Sequence, residues 1–414
     1  MIKKSEIYKE IKSEIDRLRR SERFYNRFNA PTLARGIAMI ESRIRSENID
    51  IDEKIELIVK LFDSEEHFVS NCDDSDGDLG DVYCEICSTF CLIVKNHKDR
   101  KKILLLIKKL IEKNNYGLHD ELLNRLAEFM TKEEMKELYE YFMNLAISST
   151  GDDSKNGCEK YIPISIAESL QDAELYEKSV RILNNGELNN CYFLNIGQIH
   201  FRNNSYDKAK EWLLTLLDKG YNQKNDIYEI LLDIALAEND KELAIVYARE
   251  ILFDEMSKQN YDCLVKLIGK EREDELRRDL ISVIEREIPI KATKLEFLTD
   301  IDALSEVNRI IITKNNNLKG YNYQPLINCA IELENKEYFL STSLIYRALI
   351  DELLGRAIAR YYIYAIRYMK KLDVLSDKVN DWMNKPNHDD YTNELRTKHG
   401  RKTAFWKKYE DKLH

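Results

Sequence analysis

The chain has 414 residues and a formal net charge of −10, from 64 Lys and Arg against 74 Asp and Glu. Glycine (13) and proline (5) together make up about 4 % of it, against roughly 12 % in an average protein, which excludes turn-dense β-sandwiches and barrels and linker-rich or collagen-like chains. The remainder, 33 % charged and 43 % hydrophobic, is the composition of a mostly helical protein with a sizeable core, and its negative balance gives no global field toward nucleic acid or an anionic membrane. Helical periodicity begins at once: Ile7, Ile11, Ile15 and Leu18 fall on one stripe of an amphipathic helix. Similar stripes recur at Ile55 to Phe62, Val82 to Val94, Ile103 to Ile111 and Met135 to Leu145. Two polar breaks, Ser70 to Asp81 and Ser148 to Cys158, consist of residues that bond their own backbone in turns, and the second is read as a domain boundary.

Beyond that boundary a weak repeat is visible. Tyr176-Glu-Lys-Ser179, Tyr206-Asp-Lys-Ala209 and Lys241-Glu-Leu-Ala244 align at offsets of 30 and 35, near the 34-residue tetratricopeptide period. Phe193, Ile196 and Gly197 precede Ala209 at the offsets where that repeat places a large residue, a Leu and a small residue, which two helices need for close packing. His200 stands where Tyr is usual, and Leu216 replaces a later Ala. Ile288 to Thr299 alternates in part and is read as an irregular connector. From Pro325 the pattern is of longer helices, with apolar positions at Leu344, Ala348 and Leu353 and then at Ile363, Ile366 and Met369; Asp389 to Leu413 reads as a helix pair broken at Gly400. The expected fold is all-α, a right-handed α-solenoid of stacked antiparallel helix pairs with little or no β-structure. Its expected parts are residues 1–150, a tetratricopeptide-like 158–290, and 291–414 with the terminal pair.

Four blocks carry a resemblance to a known family. They are Asp73 to Asp81 (DDSDGDLGD), Tyr116 to Asp120 (YGLHD), Leu344 to Ala348 (LIYRA) with Tyr361 to Leu372, and His388-x2-Tyr391-x3-Leu395-x3-His399-Gly-Arg-Lys402-x2-Phe405-Trp406. In this order they resemble a bacterial family of helical proteins, domain-of-unknown-function family 6880, over nearly the whole chain. The closing block is also similar to helical repeats of proteins with SWIM-type zinc fingers. No SWIM signature is present, so no zinc site follows from that likeness. Where the family pattern implies a Leu-Gly-x2-Gly-Leu turn after the second block, this chain has Phe129 to Met135 (FMTKEEM), without glycine. The resemblance implies a helical fold and no established activity.

Candidate chemistry is sparse. Asp73, Asp74, Asp76 and Asp78 offer oxygen ligands for a divalent cation, but with Gly77 at loop position six an EF-hand would need carboxylates where Cys72 and Tyr83 stand. The competing reading is a turn whose Asp78 or Ser75 caps the helix starting near Leu79. Cys84, Cys87 and Cys91 share a helical face, which suits either zinc ligation with Cys72 or His67, or a buried stripe of small apolar residues. The closing block holds six cations and no acid between Leu395 and Tyr409. His388, Tyr391, Arg396, His399, Arg401, Lys402 and Trp406 are therefore candidates for a partner or phosphate, with Phe405 and Trp406 available to stack on bases. The same aromatic spacing also suits a packing seam. In the central repeat, Asn195, Gln198 and Arg202 are candidates to border a groove.

No nucleotide-loop, dinucleotide, zinc-protease or nucleophile-elbow motif occurs, and no cofactor signature is present. The expected function is a non-enzymatic scaffold binding a protein partner. Nucleic-acid or phosphate binding through the closing block is the alternative, and a metal-dependent enzyme built on the acidic loop is a third reading. The cysteines lack a dense paired spacing, the first residues are charged throughout, and no run approaches the ~20 apolar residues that span a bilayer. A reducing cytoplasm, with no membrane, is the expected location.

Overall fold

The computed structural model describes residues 4–148, 156–184, 186–314 and 318–410. Every named element among them is a helix, and the nearest approach to a strand is one isolated bridge between Tyr25 and Cys72. The chain forms two compact units, Met1–Tyr221 and Asn222–His414. Of the expected boundaries, the one near 290 lies inside the second unit, and the polar break after Ser148 falls largely outside the described residues.

In the first unit the Glu6–Arg19 helix buries Ile11 and Ile15 of the expected stripe, leaves Ile7 and Leu18 half-buried, and buries Tyr8 in addition. Ser5 caps it, accepting from Tyr8 N at 3.1 Å, and is itself held by the Glu53 carboxylate through its backbone N and hydroxyl (2.9 and 2.6 Å). The Asp78–Val94 helix packs on the Ala30–Ser46 and Ile51–Phe62 helices, with Tyr83, Ile86, Cys87 and Phe90 wholly buried. Beneath them His119 Nε2 lies 2.8 Å from a Glu65 oxygen, both side chains inaccessible, while His119 Nδ1 meets Leu110 O at 2.9 Å.

The segment that lacks the expected glycine turn closes by a different device. Thr131 Oγ1 accepts from Glu134 N at 3.2 Å and a Glu134 oxygen accepts from Thr131 N at 2.8 Å, a reciprocal capping box at the head of the Lys132–Ser148 helix. Arg100 completes it, donating to Phe129 O and to both Glu134 oxygens within 2.9 Å. Further on, the Asn190–Arg202 and Tyr206–Asp218 helices pack along each other. Gly197 makes that approach possible, because a Cβ there would lie 2.7 Å from the Leu213 side chain, and Ile196 and Ala209 are fully buried beside it.

In the second unit the expected irregular connector needs correction. Ala292–Asp300 is a helix burying Ala292, Leu295, Phe297 and Leu298. Burial on two sides blurs its period and mimics alternation. The Phe339–Gly355 helix packs against the Leu304–Lys314, Tyr323–Asn335 and Tyr362–Ser376 helices, and every residue from Leu340 to Arg347 is buried. Its buried hydroxyls satisfy themselves locally: Ser341 and Thr342 donate to Tyr338 O (3.0 and 2.9 Å) and Ser343 to Phe339 O (2.8 Å). The terminal pair, His388–His399 and Thr403–Glu410, packs on the Tyr362–Ser376 helix.

Candidate functional site

The closing block is drawn together largely by packing. Phe405 and Trp406 are buried and meet edge to face at 4.9 Å, and Trp406 Nε1 donates to His399 O at 3.0 Å. Tyr391 is buried against the Phe339–Gly355 helix, its hydroxyl donating to Arg347 O at 3.3 Å. His388 Nε2 and the Tyr409 hydroxyl both bond Asp373 Oδ1, at 2.9 and 2.7 Å. Arg396 lies 4.3 Å over the Trp406 ring and pairs with Glu410 at 2.5 Å. His399 is buried, and burial together with Lys402 and Lys398 lowers its proton affinity. Arg401 is exposed and Lys402 half-buried, and neither has an ion-pair partner among the described residues. Base stacking needs open ring faces. With Phe405 and Trp406 inside, the block offers a nucleic acid the cations Lys398, Arg401, Lys402, Lys407 and Lys408 and no stacking platform.

The acidic loop turns its carboxylates toward the chain. Asp74 receives Leu79 N at 2.8 Å and Gly80 N at 3.3 Å, so Asp74, rather than Asp78 or Ser75, caps the Asp78–Val94 helix. Asp76 is clasped by Arg27 through two bonds (2.9 and 2.6 Å), and the Arg27 guanidinium holds its carboxyl below the usual range. Asp73 receives Ser75, and Asp78 lies in the first helical turn. Among the described residues no three His, Cys, Asp or Glu side chains are grouped to hold a metal ion. Cys87 and Cys91 are buried and Cys84 is exposed; burial pushes the Cys91 thiol up to about 12. Such a thiol is an inert hydrophobe rather than a ligand or nucleophile.

In the central repeat, Asn195 Nδ2 donates to the Tyr176 hydroxyl at 2.9 Å, and Arg202, exposed, reaches Gln171 at 3.4 Å. Gln198 is half-buried. Asn195 thus ties the Ala173–Leu183 and Asn190–Arg202 helices together instead of facing a ligand.

A tyrosine-rich concavity lies elsewhere, in the second unit. A cleft of about 360 Å³ is walled by Tyr321, Tyr323, Tyr361, Tyr364 and Tyr368, with Arg356 and Arg367 among them and Ile327, Leu349 and Leu353 as its apolar lining. Tyr321, Tyr323 and Tyr364 are 53, 61 and 45 % exposed. Arg356 is engaged by Glu352 at 2.8 Å, whereas Arg367 is exposed, 5.8 Å from the Tyr364 ring centre. Gly320 shapes the wall: a Cβ there would lie 2.3 Å from Ala348 O, so only glycine lets this turn approach the Phe339–Gly355 helix. Tyrosine presents a large, rigid apolar face with a polar tip at little cost in side-chain freedom. Sequence reading missed this cleft, although its signal was present. Eight of the chain's 24 tyrosines fall between Tyr321 and Tyr368.

The model of a family of unknown function, DUF6880, matches residues 4–184 and 274–408, more than half of the chain, and the chain therefore belongs to that family. No curated protein matches it.

Proposed function

We propose that this member of the DUF6880 family is a non-enzymatic helical-repeat scaffold, and that the tyrosine-walled cleft of its second unit receives a segment of a protein partner. The observation that carries the reading is the cleft itself. Tyrosine and arginine dominate the energetics of protein recognition because they bury much area while keeping a polar end. Five tyrosines and two arginines line one cleft of about 360 Å³. Arg367, exposed beside Tyr364, favours an acidic segment. A solenoid of stacked antiparallel helix pairs, tetratricopeptide-like around Asn190–Arg202 and Tyr206–Asp218, and a cytoplasmic setting are the finer parts of this proposal.

The test is a photo-crosslinking residue placed at Tyr364 in cells that express the protein. A stoichiometric partner should be captured, and Tyr323→Ala with Arg367→Ala should weaken its binding at least about tenfold. Substituting Asn195, Gln198 and Arg202 should leave capture unchanged. Absence of any stoichiometric partner, or capture indifferent to the cleft variants, sinks the reading. The adjacent cations Arg401 and Lys402, without an ion-pair partner among the described residues, favour a second reading, phosphate contact. It requires salt-sensitive binding that disappears in Arg401→Ala/Lys402→Ala.

A further inference from the structure

A second cavity of the same unit, about 440 Å³, contains a side chain that nothing described so far employs. Arg347 is 6 % exposed, and its guanidinium sits 4.5 Å from the Trp382 ring centre and 4.6 Å from that of Tyr391. Nη1 donates to Pro386 O at 2.7 Å. Nε and Nη2 are buried and have no hydrogen-bond partner among the described residues. These two nitrogens share one edge of the planar fork, the edge that meets a two-oxygen anion with parallel hydrogen bonds.

The unsatisfied edge stands out within its own helix. Ser341, Thr342 and Ser343 bond back to carbonyls one turn away. The Arg347 guanidinium reaches only Pro386 O, and no carbonyl of its own helix meets the other two nitrogens. A buried donor left unmade is costly, and a buried charge more so. Burial brings the Arg347 pKa down to about 10, against the opposing pull of Tyr391, Glu394 and Asp351. Those two carboxylates line the cavity, yet neither forms an ion pair with Arg347. Lys398, exposed, lines it as well.

We propose that this cavity binds the carboxylate of a small organic molecule, seated on the Nε–Nη2 edge of Arg347. The volume lies within the roughly 300–1,000 Å³ of small-molecule sites. Asp351, Glu352 and Glu394 line the cavity together with Arg347, Lys319 and Lys398, and they disfavour doubly charged phosphate more than a singly charged carboxylate. The Trp382 and Tyr391 rings hold the guanidinium plane in place, and a carboxylate reaches the Nε–Nη2 edge as the side chains that close it off from solvent give way. The cavity shares Gly320 and Glu352 with the tyrosine cleft but uses none of its five tyrosines, and it stands without the scaffold reading.

The experiment titrates full-length protein carrying ¹⁵N-arginine with sodium acetate and with sodium benzoate, against sodium chloride of equal ionic strength. One Nε–Hε resonance should shift saturably with both carboxylates and not with chloride, and that resonance should be missing in Arg347→Lys, whose apparent affinity should fall at least tenfold. Should Arg347→Lys fail to fold, Lys398→Gln, a surface change, provides the second variant, with affinity expected to fall severalfold. Thermal unfolding of the unaltered protein supplies an independent readout, a midpoint rise that saturates with carboxylate. No saturable response to either carboxylate overturns the site. Inorganic phosphate binding as tightly as acetate overturns its assignment to carboxylates.

Discussion

The Asn190–Arg202 and Tyr206–Asp218 helix pair of the first unit and the Phe339–Gly355 helix of the second are built on different principles. Each helix of the pair buries one stripe and keeps a polar face, and the two approach through Gly197 against Leu213. The Phe339–Gly355 helix is wrapped by neighbours from Leu340 to Arg347 and has no polar face there. A stripe places polar side chains in water, where they need no partner. A wrapped helix must satisfy each one inside the protein, and short hydroxyl side chains do so most readily by returning to their own backbone. Arg347 is the residue for which this fails, which is why the wrapped helix, and not the striped pair, carries a candidate ligand site.

The contrast can be broken most forcefully at the glycines. Gly320→Ala puts a Cβ 2.3 Å from Ala348 O, a backbone atom that cannot yield, and should cost about 3 kcal/mol in urea unfolding. Gly197→Ala meets only the Leu213 side chain, which can shift, and gains helix propensity. Its net cost should be smaller, about 1 kcal/mol by the same measurement. Equal costs would show that the two approaches are equally tight. Asp74→Ala should cost about 1 kcal/mol by removing the cap of the Asp78–Val94 helix. Asp76→Ala should change unfolding little, because its pair with Arg27 is exposed. Ser343→Ala should cost about 0.5 kcal/mol, since its hydroxyl returns to a carbonyl of its own helix.

The smallest effect is a pH dependence carried by one histidine in each unit. His200 in the pair and His399 in the terminal helices are buried, and burial, with Lys208 near one and Lys402 near the other, lowers the pKa of each. The unfolded chain then binds protons more readily than the folded one. Stability should be complete above pH ~6.5 and decline as the pH falls through the lowered values. Chemical denaturation from pH 7.5 to 5 checks this, and His399→Gln should flatten part of the slope.

Sequence reading reached the striped parts more readily than the wrapped ones, for the same reason. Ile11 and Ile15 are buried where a 3.6-residue period puts them, and Gly197 and Ala209 sit at the close approach expected of them. Within the wrapped region the period disappears. Ala292–Asp300 therefore resembled a connector, and Arg347, the sole charge between Leu344 and Ile350, was noted only as part of a family block. The tyrosine cleft draws residues from three stretches of chain, 320–327, 349–356 and 361–368, so its sign in the sequence is the density of tyrosine and not a local spacing. The closing block went the other way: its cations and aromatics suggested a surface, but the rings were needed inside to hold the terminal helices.

One turn in the first unit has an evolutionary consequence. A glycine turn depends on the backbone alone, so its flanks are free to drift. Here the same corner is made by side chains, with Arg100 bridging Phe129 O and Glu134, and Glu134 returning to Thr131. Loss of any one strands the others' charges or donors, so the three substitutions are coupled and their costs should not add. Relatives that possess the Leu-Gly-x2-Gly-Leu turn are expected to lack Arg100 and Glu134 together, and a chain passing between the two solutions must change the set at once.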